Sequence, residues 1–245
     1  MSTRLQPIRL TALDYRHQEL GAQMSVDSGL WRRPIRYSTM ERELDCVLRS
    51  VALCDISPVS KLSVHGSGID RALPLLAAIQ WKSRPGQAAR VALSGAGAER
   101  MTECLYCWIG RDELWVLGAS GNVLSAEKHV AMQLAGSVSR LYFTDLTSVL
   151  AAVKVMGPRS ADVLNKLSSL DLRLHHFPQL SCAQSSLAGV HAMVVRVDEG
   201  QHLGYEVYFA RDAAESVWDA ILRAGEEFDI APFGVQVLNQ IGSRG

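Results

Sequence analysis

Val51-Ala-Leu-Cys-Asp-Ile-Ser-Pro-Val-Ser-Lys-Leu-Ser-Val-His-Gly66 is the stretch on which the fold turns. Its second half, Lys61 to His65, alternates apolar and polar residues with the period of a strand, and Gly66-Ser-Gly68 follows as a turn. Upstream, the segment from Thr39 to Leu53 carries apolar residues at Leu44, Val47, Leu48 and Val51. That i, i+3, i+4, i+7 spacing predicts an amphipathic helix running into the strand. Downstream, Ile69 to Ile79 reads as helical, with Pro74 interrupting or starting it.

Working outward, Ser83 to Glu99 is rich in Gly, Ala and Ser and reads as loop with a short strand. Thr102–Ile109 and Glu113–Leu117 are strands, and Gly110-Arg-Asp112 between them suits a hairpin turn. After an Ala119-Ser-Gly-Asn122 loop, Ser125 is positioned to cap a helix to Ala135, with Gly136 ending it. Leu141–Leu146 and Ala151–Met156 are strands. Gly157-Pro158 opens a helix whose buried face is Ala161, Leu164 and Leu167. Val190–Val197 and Tyr205–Phe209 form a strand pair. Asp212 caps a last helix that turns Val217, Trp218, Ile221 and Leu222 inward and stops at Gly225. Paired strands with helices between them predict an α+β fold rather than a doubly wound parallel sheet. Two adjacent α+β lobes are expected, with mixed and antiparallel sheets: residues 1–50 plus 140–245, and residues 51–139.

The chain has 245 residues, 48% of them apolar and 20% charged, which is enough for a real core and argues against disorder. Twenty-five basic residues balance twenty-five acidic ones, so no global basic field calls for nucleic acid or an anionic membrane. The longest apolar stretch, Ala72 to Ile79, is far short of the roughly 20 residues that span a bilayer. The N-terminal segment lacks the apolar region of a signal peptide. A cytoplasmic protein is expected, with most of its five cysteines as free thiols acting as small core residues.

Few motifs carry chemistry by spacing alone. Cys104-Leu-Tyr-Cys107 has metal or redox spacing, but no second pair completes a zinc site, and residues three apart on a strand face opposite ways. No metal is expected. His175-His176 reads as a loop pair and His65 as a strand-edge histidine. Gly66-Ser-Gly68 and Gly95-Ala-Gly97 lack the remainder of a phosphate-binding loop.

Read as a whole, residues 51–66 resemble the V-G-L-F-D-V-S-H-M-G-K-L-x-V-x-G segment of the glycine cleavage T-protein family, the aminomethyltransferases. Arg33-Pro-Ile-Arg-Tyr37 is similar to that family's M-P-x-x-Y. Val155-Met-Gly-Pro-Arg-Ser-Ala-Asp-Val-Leu164 resembles its L-Q-G-P-x-A-x-x-V-L. Gly204-Tyr-Glu-Val-Tyr208 matches G-F-E-I-Y, and Ala231-Pro-Phe-Gly-Val235 matches the approach to a P-x-G-x-x-x-R-D motif. The matches run in order from about Leu13 to Gly234. The resemblance implies a two-lobed core with a central pterin pocket. It also implies transfer of a methyl or aminomethyl unit from a small donor to tetrahydrofolate. By the same resemblance, the short chain is expected to lack the family's C-terminal barrel domain.

Carried over residue by residue, the pterin-binding glutamate falls on Glu206. The acidic group that manages a proton near N5/N10 falls on Glu103, in Met101-Thr-Glu-Cys-Leu105. Asp198-Glu-Gly-Gln-His-Leu-Gly204 takes the place of G-Y-T-G-E-D-G, so Glu199 and His202 join Tyr37 as cofactor-binding expectations. The family's folate-contacting Asn has no counterpart before Asn122, the Met of S-H-M-G is Val59, and the Arg of G-x-x-x-R-D is Leu238. Three readings follow: a folate-dependent transferase or demethylase, a folate-binding or structural subunit of an amine-oxidising complex, or a pocket turned to another small molecule through His202, Glu199 and Glu103. A homodimer or partner subunit is expected to stand in for the closing domain.

Overall fold

The computed structural model describes residues 7–76, 81, 84–93, 102–118, 123–134, 136–138 and 140–242. Along the chain come β1 (Arg9–Leu10), α1 (Asp14–Glu19), β2 (Gln23–Val26), β3 (Trp31–Arg36), α2 (Met40–Arg49), β4 (Ala52–Asp55) and β5 (Ser60–His65). Next are α3 (Ile69–Ala72), β6 (Gln87–Leu93), β7 (Thr102–Gly110), β8 (Glu113–Gly118), α4 (Val123–Leu134), β9 (Tyr142–Asp145) and β10 (Leu150–Met156). The chain continues with α5 (Ser160–Asn165), β11 (Cys182–Leu187), β12 (Val190–Arg196), β13 (Gly204–Ala210), α6 (Ala214–Gly225), β14 (Ala231–Pro232) and α7 (Val235–Gly242). The architecture is α+β, and it divides into two units, each described by itself.

The first unit comprises Met1–Pro58, Ala151–Gln179 and Ser185–Gly245. Its larger sheet has the order β11-β12-β13-β10-β4-β14, and a smaller sheet has the order β1-β3-β2. β4 is wholly buried, runs antiparallel to β10 and parallel to β14. Helix α2 starts where expected: the Thr39 hydroxyl accepts the Arg42 N–H, a side-chain cap. It ends at Arg49, not Leu53, because Ala52 to Asp55 form β4 and pair with Val153 to Met156. Leu48, expected on the buried face, is 44% exposed, while Glu43 is buried beside Val47. Its carboxylate accepts the backbone N–H groups of Tyr37, Ser38 and Gly234, at 2.5, 2.8 and 2.9 Å. Asp212 does not cap α6: a 3-10 turn over Arg211–Ala213 precedes the helix, whose first residue has no side-chain cap. Nor is α6 the last helix, since α7 follows with Val237 and Ile241 buried. Pro158 lies ahead of α5, which begins at Ser160.

The second unit comprises Val59–Leu150 and Leu180–Gln184. Its sheet has the order β6-β7-β8-β5-β9, antiparallel at every junction. The β7–β8 hairpin forms at the expected turn. The expected helix over 69–79 is interrupted at its proline: α3 gives way to a 3-10 turn at Leu73–Leu75, and the remainder lies outside the described residues. β6 is a full strand of 7 residues rather than a short one in a loop. α4 begins at Val123, so Ser125 lies inside it and not at its cap. Leu62, Val64, Tyr106, Trp108, Leu114 and Val116 pack with Val130 and Leu134 of α4 into this unit's core. The Ala119–Asn122 loop, the Gly95-Ala-Gly97 segment and Ala135 lie outside the described residues. Among the described residues no helix is long and apolar enough to cross a membrane.

Candidate functional site

Glu206 sits on β13 opposite Val195 of β12, the intermediate position among buried neighbours. Beside it, Lys154 of β10 is 3% exposed in a strand that is otherwise apolar. A buried ammonium needs partners, and it has two. Lys154 Nζ donates to Glu199 Oε1 at 2.6 Å and to Glu206 Oε1 at 3.1 Å, while the Tyr208 hydroxyl donates to Glu206 Oε2 at 2.5 Å. Burial pulls the Lys154 pKa down, but the charges of Glu206 and Glu199 and their hydrogen bonds reverse this and raise it above the usual lysine value. A carboxylate offers about four lone-pair directions, so Glu206 keeps acceptor capacity after Lys154 and Tyr208 are served.

The loop that delivers Glu199 is held by local chemistry. Arg196 grips the Asp198 carboxylate with Nε at 3.1 Å and Nη2 at 2.7 Å, and Asp198 Oδ1 accepts the Gly204 N–H at 3.1 Å. Glu199 and His202 exchange two backbone hydrogen bonds of 3.0 Å across a tight turn, with Gly200 at φ +59. Gly204 closes the loop because a Cβ there would lie 2.5 Å from the Val197 carbonyl oxygen. The fold thus brings Glu199, Glu206 and Lys154 together, with Tyr208 as a fourth member. His202 joins through its backbone, and among the described residues its imidazole makes no side-chain hydrogen bond.

Tyr37 belongs to a different arrangement. Its hydroxyl lies 2.7 Å from His17 Nδ1, and His17 Nε2 lies 2.9 Å from Asp55 Oδ2. His17 and Asp55 are 0% and 1% exposed. Burial pushes the Asp55 carboxyl up, but the His17 hydrogen bond and charge and the Ser57 contacts overcome this and lower it below the ordinary carboxylate value. Burial, with Cys54 and Asp55 nearby, raises the Tyr37 phenol, so it stays protonated. Where Nε2–H donates to Asp55, the Tyr37 hydroxyl can donate to an unprotonated Nδ1; the roles follow the tautomer. His17 was missed in the sequence; its one signal is the i, i+4 spacing from the buried Leu13.

Glu103 lies on β7 of the second unit with its side chain 57% exposed, and Arg90 Nη1 sits 2.5 Å from its Oε1. Cys104 and Cys107 face opposite sides of that strand: both are buried, but only Cys104 joins the core around α4. Burial pushes the Cys104 thiol up to about 11 and the Cys54 thiol up to about 12, so neither is a ready nucleophile. Among the described residues no three His, Cys, Asp or Glu side chains are grouped to hold a metal ion. His176 is engaged by Asp171 in an exposed loop. Gly66-Ser-Gly68 is a docked turn, with the Gly66 N–H on the Asp112 carbonyl and the Gly68 N–H on its carboxylate, at 3.0 and 2.9 Å.

Residues 13–241 match the family described as the GCVT N-terminal domain. An aminomethyltransferase of Acidobacterium capsulatum is 30% identical over 241 residues, covering 96% of this chain and 62% of that relative. Sarcosine oxidase subunit alpha of Corynebacterium sp. (strain U-96) is 27% identical over 248 residues, covering 96% of this chain and 26% of that relative. The crystal structure of the glycine cleavage system aminomethyltransferase T from Bartonella henselae superposes with a TM-score of 0.78 at 15% identity, over 96% of this chain and 62% of that one. That last likeness shows a shared fold. The chain spans 60–63% of the length of the first three aminomethyltransferases it matches.

Proposed function

We propose that this chain, which belongs to the GCVT N-terminal domain family, binds tetrahydrofolate and transfers a methyl or aminomethyl unit to it from a small donor. The observation that carries the reading is the Glu206 carboxylate, fixed by Lys154 and Tyr208 with acceptor capacity to spare. A pterin edge presents adjacent N–H donors, and a carboxylate with open acceptor positions fits such an edge. Bound there, tetrahydrofolate supplies the nitrogens that take up the one-carbon unit. Glu206 accepts the pterin N–H groups. Lys154 and Tyr208 hold its rotamer, so no orientation is lost on binding. Glu199 gives Lys154 a second acceptor. His202, on the same turn, and Tyr37, whose hydroxyl is engaged by His17, keep the cofactor-binding role that the resemblance assigns them. Glu103, on β7 of the second unit, is the residue to which the family resemblance assigns the proton exchange at the reacting nitrogen.

The test is an assay of the purified protein with tetrahydrofolate and a series of N-methyl amino acids, following the folate product. Product formation supports transfer, and its loss in Glu103→Gln with folate binding kept supports the proton role. Folate binding without turnover of any donor favours a second reading, a folate-binding subunit of an amine-oxidising assembly. The similarity to a sarcosine oxidase subunit supports that alternative. Absence of folate binding would refute both and leave a site for another N–H-rich ligand. A homodimer or a partner subunit that completes the site belongs to the same proposal.

A further inference from the structure

A second site lies in the first unit, outside the Glu206 cluster, and its reading does not depend on folate. β2, β3 and α7 enclose an open cavity of about 400 Å³ whose polar lining is Ser25, Asp27, Arg33, Gln236 and Asn239. Arg33 and Ser25 are register partners on adjacent antiparallel strands, so their side chains share a face. Gln236 and Asn239 are exposed and three residues apart on α7, one helical face. Val26, Ile35 and Val235 supply the apolar part of the wall.

The Arg33 guanidinium is only loosely engaged. Its side chain is 18% exposed. Among the described residues its buried Nε–H meets no acceptor, and its one ionic neighbour is Asp27 Oδ2, 3.6 Å from Nη1. That distance is too long for a hydrogen bond. Asp27 is occupied elsewhere, its Oδ1 accepting the Gly29 and Trp31 N–H groups at 2.9 Å each. A guanidinium carries five donors in a planar fork that matches a carboxylate bidentately. Here the fork is largely desolvated and almost unused, at the wall of a cavity that also offers two amide side chains and a hydroxyl. Desolvated charges are ordinarily paired.

We propose that this cavity binds a small organic carboxylate, its two oxygens on the Arg33 guanidinium and its remainder against Asn239, Gln236 and the Val26–Ile35–Val235 wall. The fork suits carboxylate and phosphate alike, and the apolar wall favours the organic carboxylate over a fully hydrated inorganic oxyanion.

The test follows the Arg33 Nε–H resonance by NMR while the full chain is titrated with potassium acetate or potassium succinate at constant ionic strength, with inorganic phosphate as a parallel arm. A saturable shift is expected below about 10 mM carboxylate, with phosphate at least about tenfold weaker. Arg33→Lys keeps the charge but loses the fork, and should weaken binding about tenfold, read from backbone shifts of α7. Asn239→Ala, on an exposed helix face, leaves the fold intact and should weaken binding severalfold. Arg33→Met, the residue of the M-P-x-x-Y pattern, should abolish it. A non-saturating shift, tighter binding of phosphate than of either carboxylate, or carboxylate binding unchanged in both Arg33→Lys and Asn239→Ala would overturn the proposal.

Discussion

Replacing Lys154 by Met removes one ammonium and leaves two carboxylates facing each other. In the wild type Nζ lies 2.6 Å from Glu199 and 3.1 Å from Glu206, with the three side chains 3%, 18% and 14% exposed. Removing one partner from a buried ion pair costs about 3–5 kcal/mol, because the other charge is left without compensation. The residual exposure of both glutamates places this case at the lower end, about 3 kcal/mol. For a chain of this size that is a fall in Tm of about 6–12 °C. Chemical denaturation of Lys154→Met against wild type measures it. The pH dependence supplies a sign. In the variant, the like charges raise the pKa of one carboxyl above its unfolded value, so the folded state takes up a proton and the deficit shrinks as pH is lowered from about 8 to about 5. In the wild type, the Lys154 pKa is raised above 10.5, so its contribution is complete below that value and is lost only as pH rises through the folded value. The triple variant Lys154→Met, Glu199→Gln, Glu206→Gln leaves no unpaired charge and should recover most of the loss. A Lys154→Met cost below about 1 kcal/mol, flat in pH, would refute the reasoning.

Asp55→Asn should cost about 1.5–3 kcal/mol at neutral pH. Since the Asp55 carboxyl lies below 3.8 in the folded state, its contribution is present above 3.8 and lost as pH falls through the folded value. The variant should therefore lack that part of the acid limb in a pH series of unfolding curves. Gly234→Ala should cost at least about 3 kcal/mol or abolish soluble expression, because the new Cβ would lie 1.9 Å from the Ile35 carbonyl oxygen. Under native conditions Cys46, the half-buried thiol, should react first with a disulfide reagent, while Cys54, Cys104, Cys107 and Cys182 react only as the protein opens.

The β7–β8 hairpin was legible because a Gly-Arg-Asp turn separates two short apolar runs, and local chemistry decides such a hairpin. The run from Val51 to Cys54 was not, because apolar residues there satisfy both the helical spacing of α2 and a buried strand. Pairing with Val153 to Met156, nearly a hundred residues away, selects the strand. The small sheet of β1, β2 and β3 escaped for the same reason: β1 has 2 residues and exists through Arg9 and Leu10 pairing with Trp31 and Arg32. Glu43 reads as a solvent residue from helical spacing, yet its three backbone partners lie outside α2. The site shows the same division. Glu206 was reached through motif resemblance. Lys154 was readable as an anomaly in an apolar strand, but nothing local says that its partners are 45 and 52 residues away. His17 and Asp55, 38 residues apart, are joined only by the fold.

The central claim is that Glu206 anchors the pterin edge. The direct measurement is a calorimetric titration of wild type, Glu206→Gln and Glu103→Gln with tetrahydrofolate and 5-formyltetrahydrofolate. Neutralising Glu206 leaves Lys154 balanced by Glu199, so the variant should fold. Loss of a charge-assisted bond of about 1.5–3 kcal/mol predicts affinity weaker by about tenfold or more in Glu206→Gln. Glu103→Gln should match wild type. Equal affinity in all three proteins, or no heat with either folate, would contradict the account.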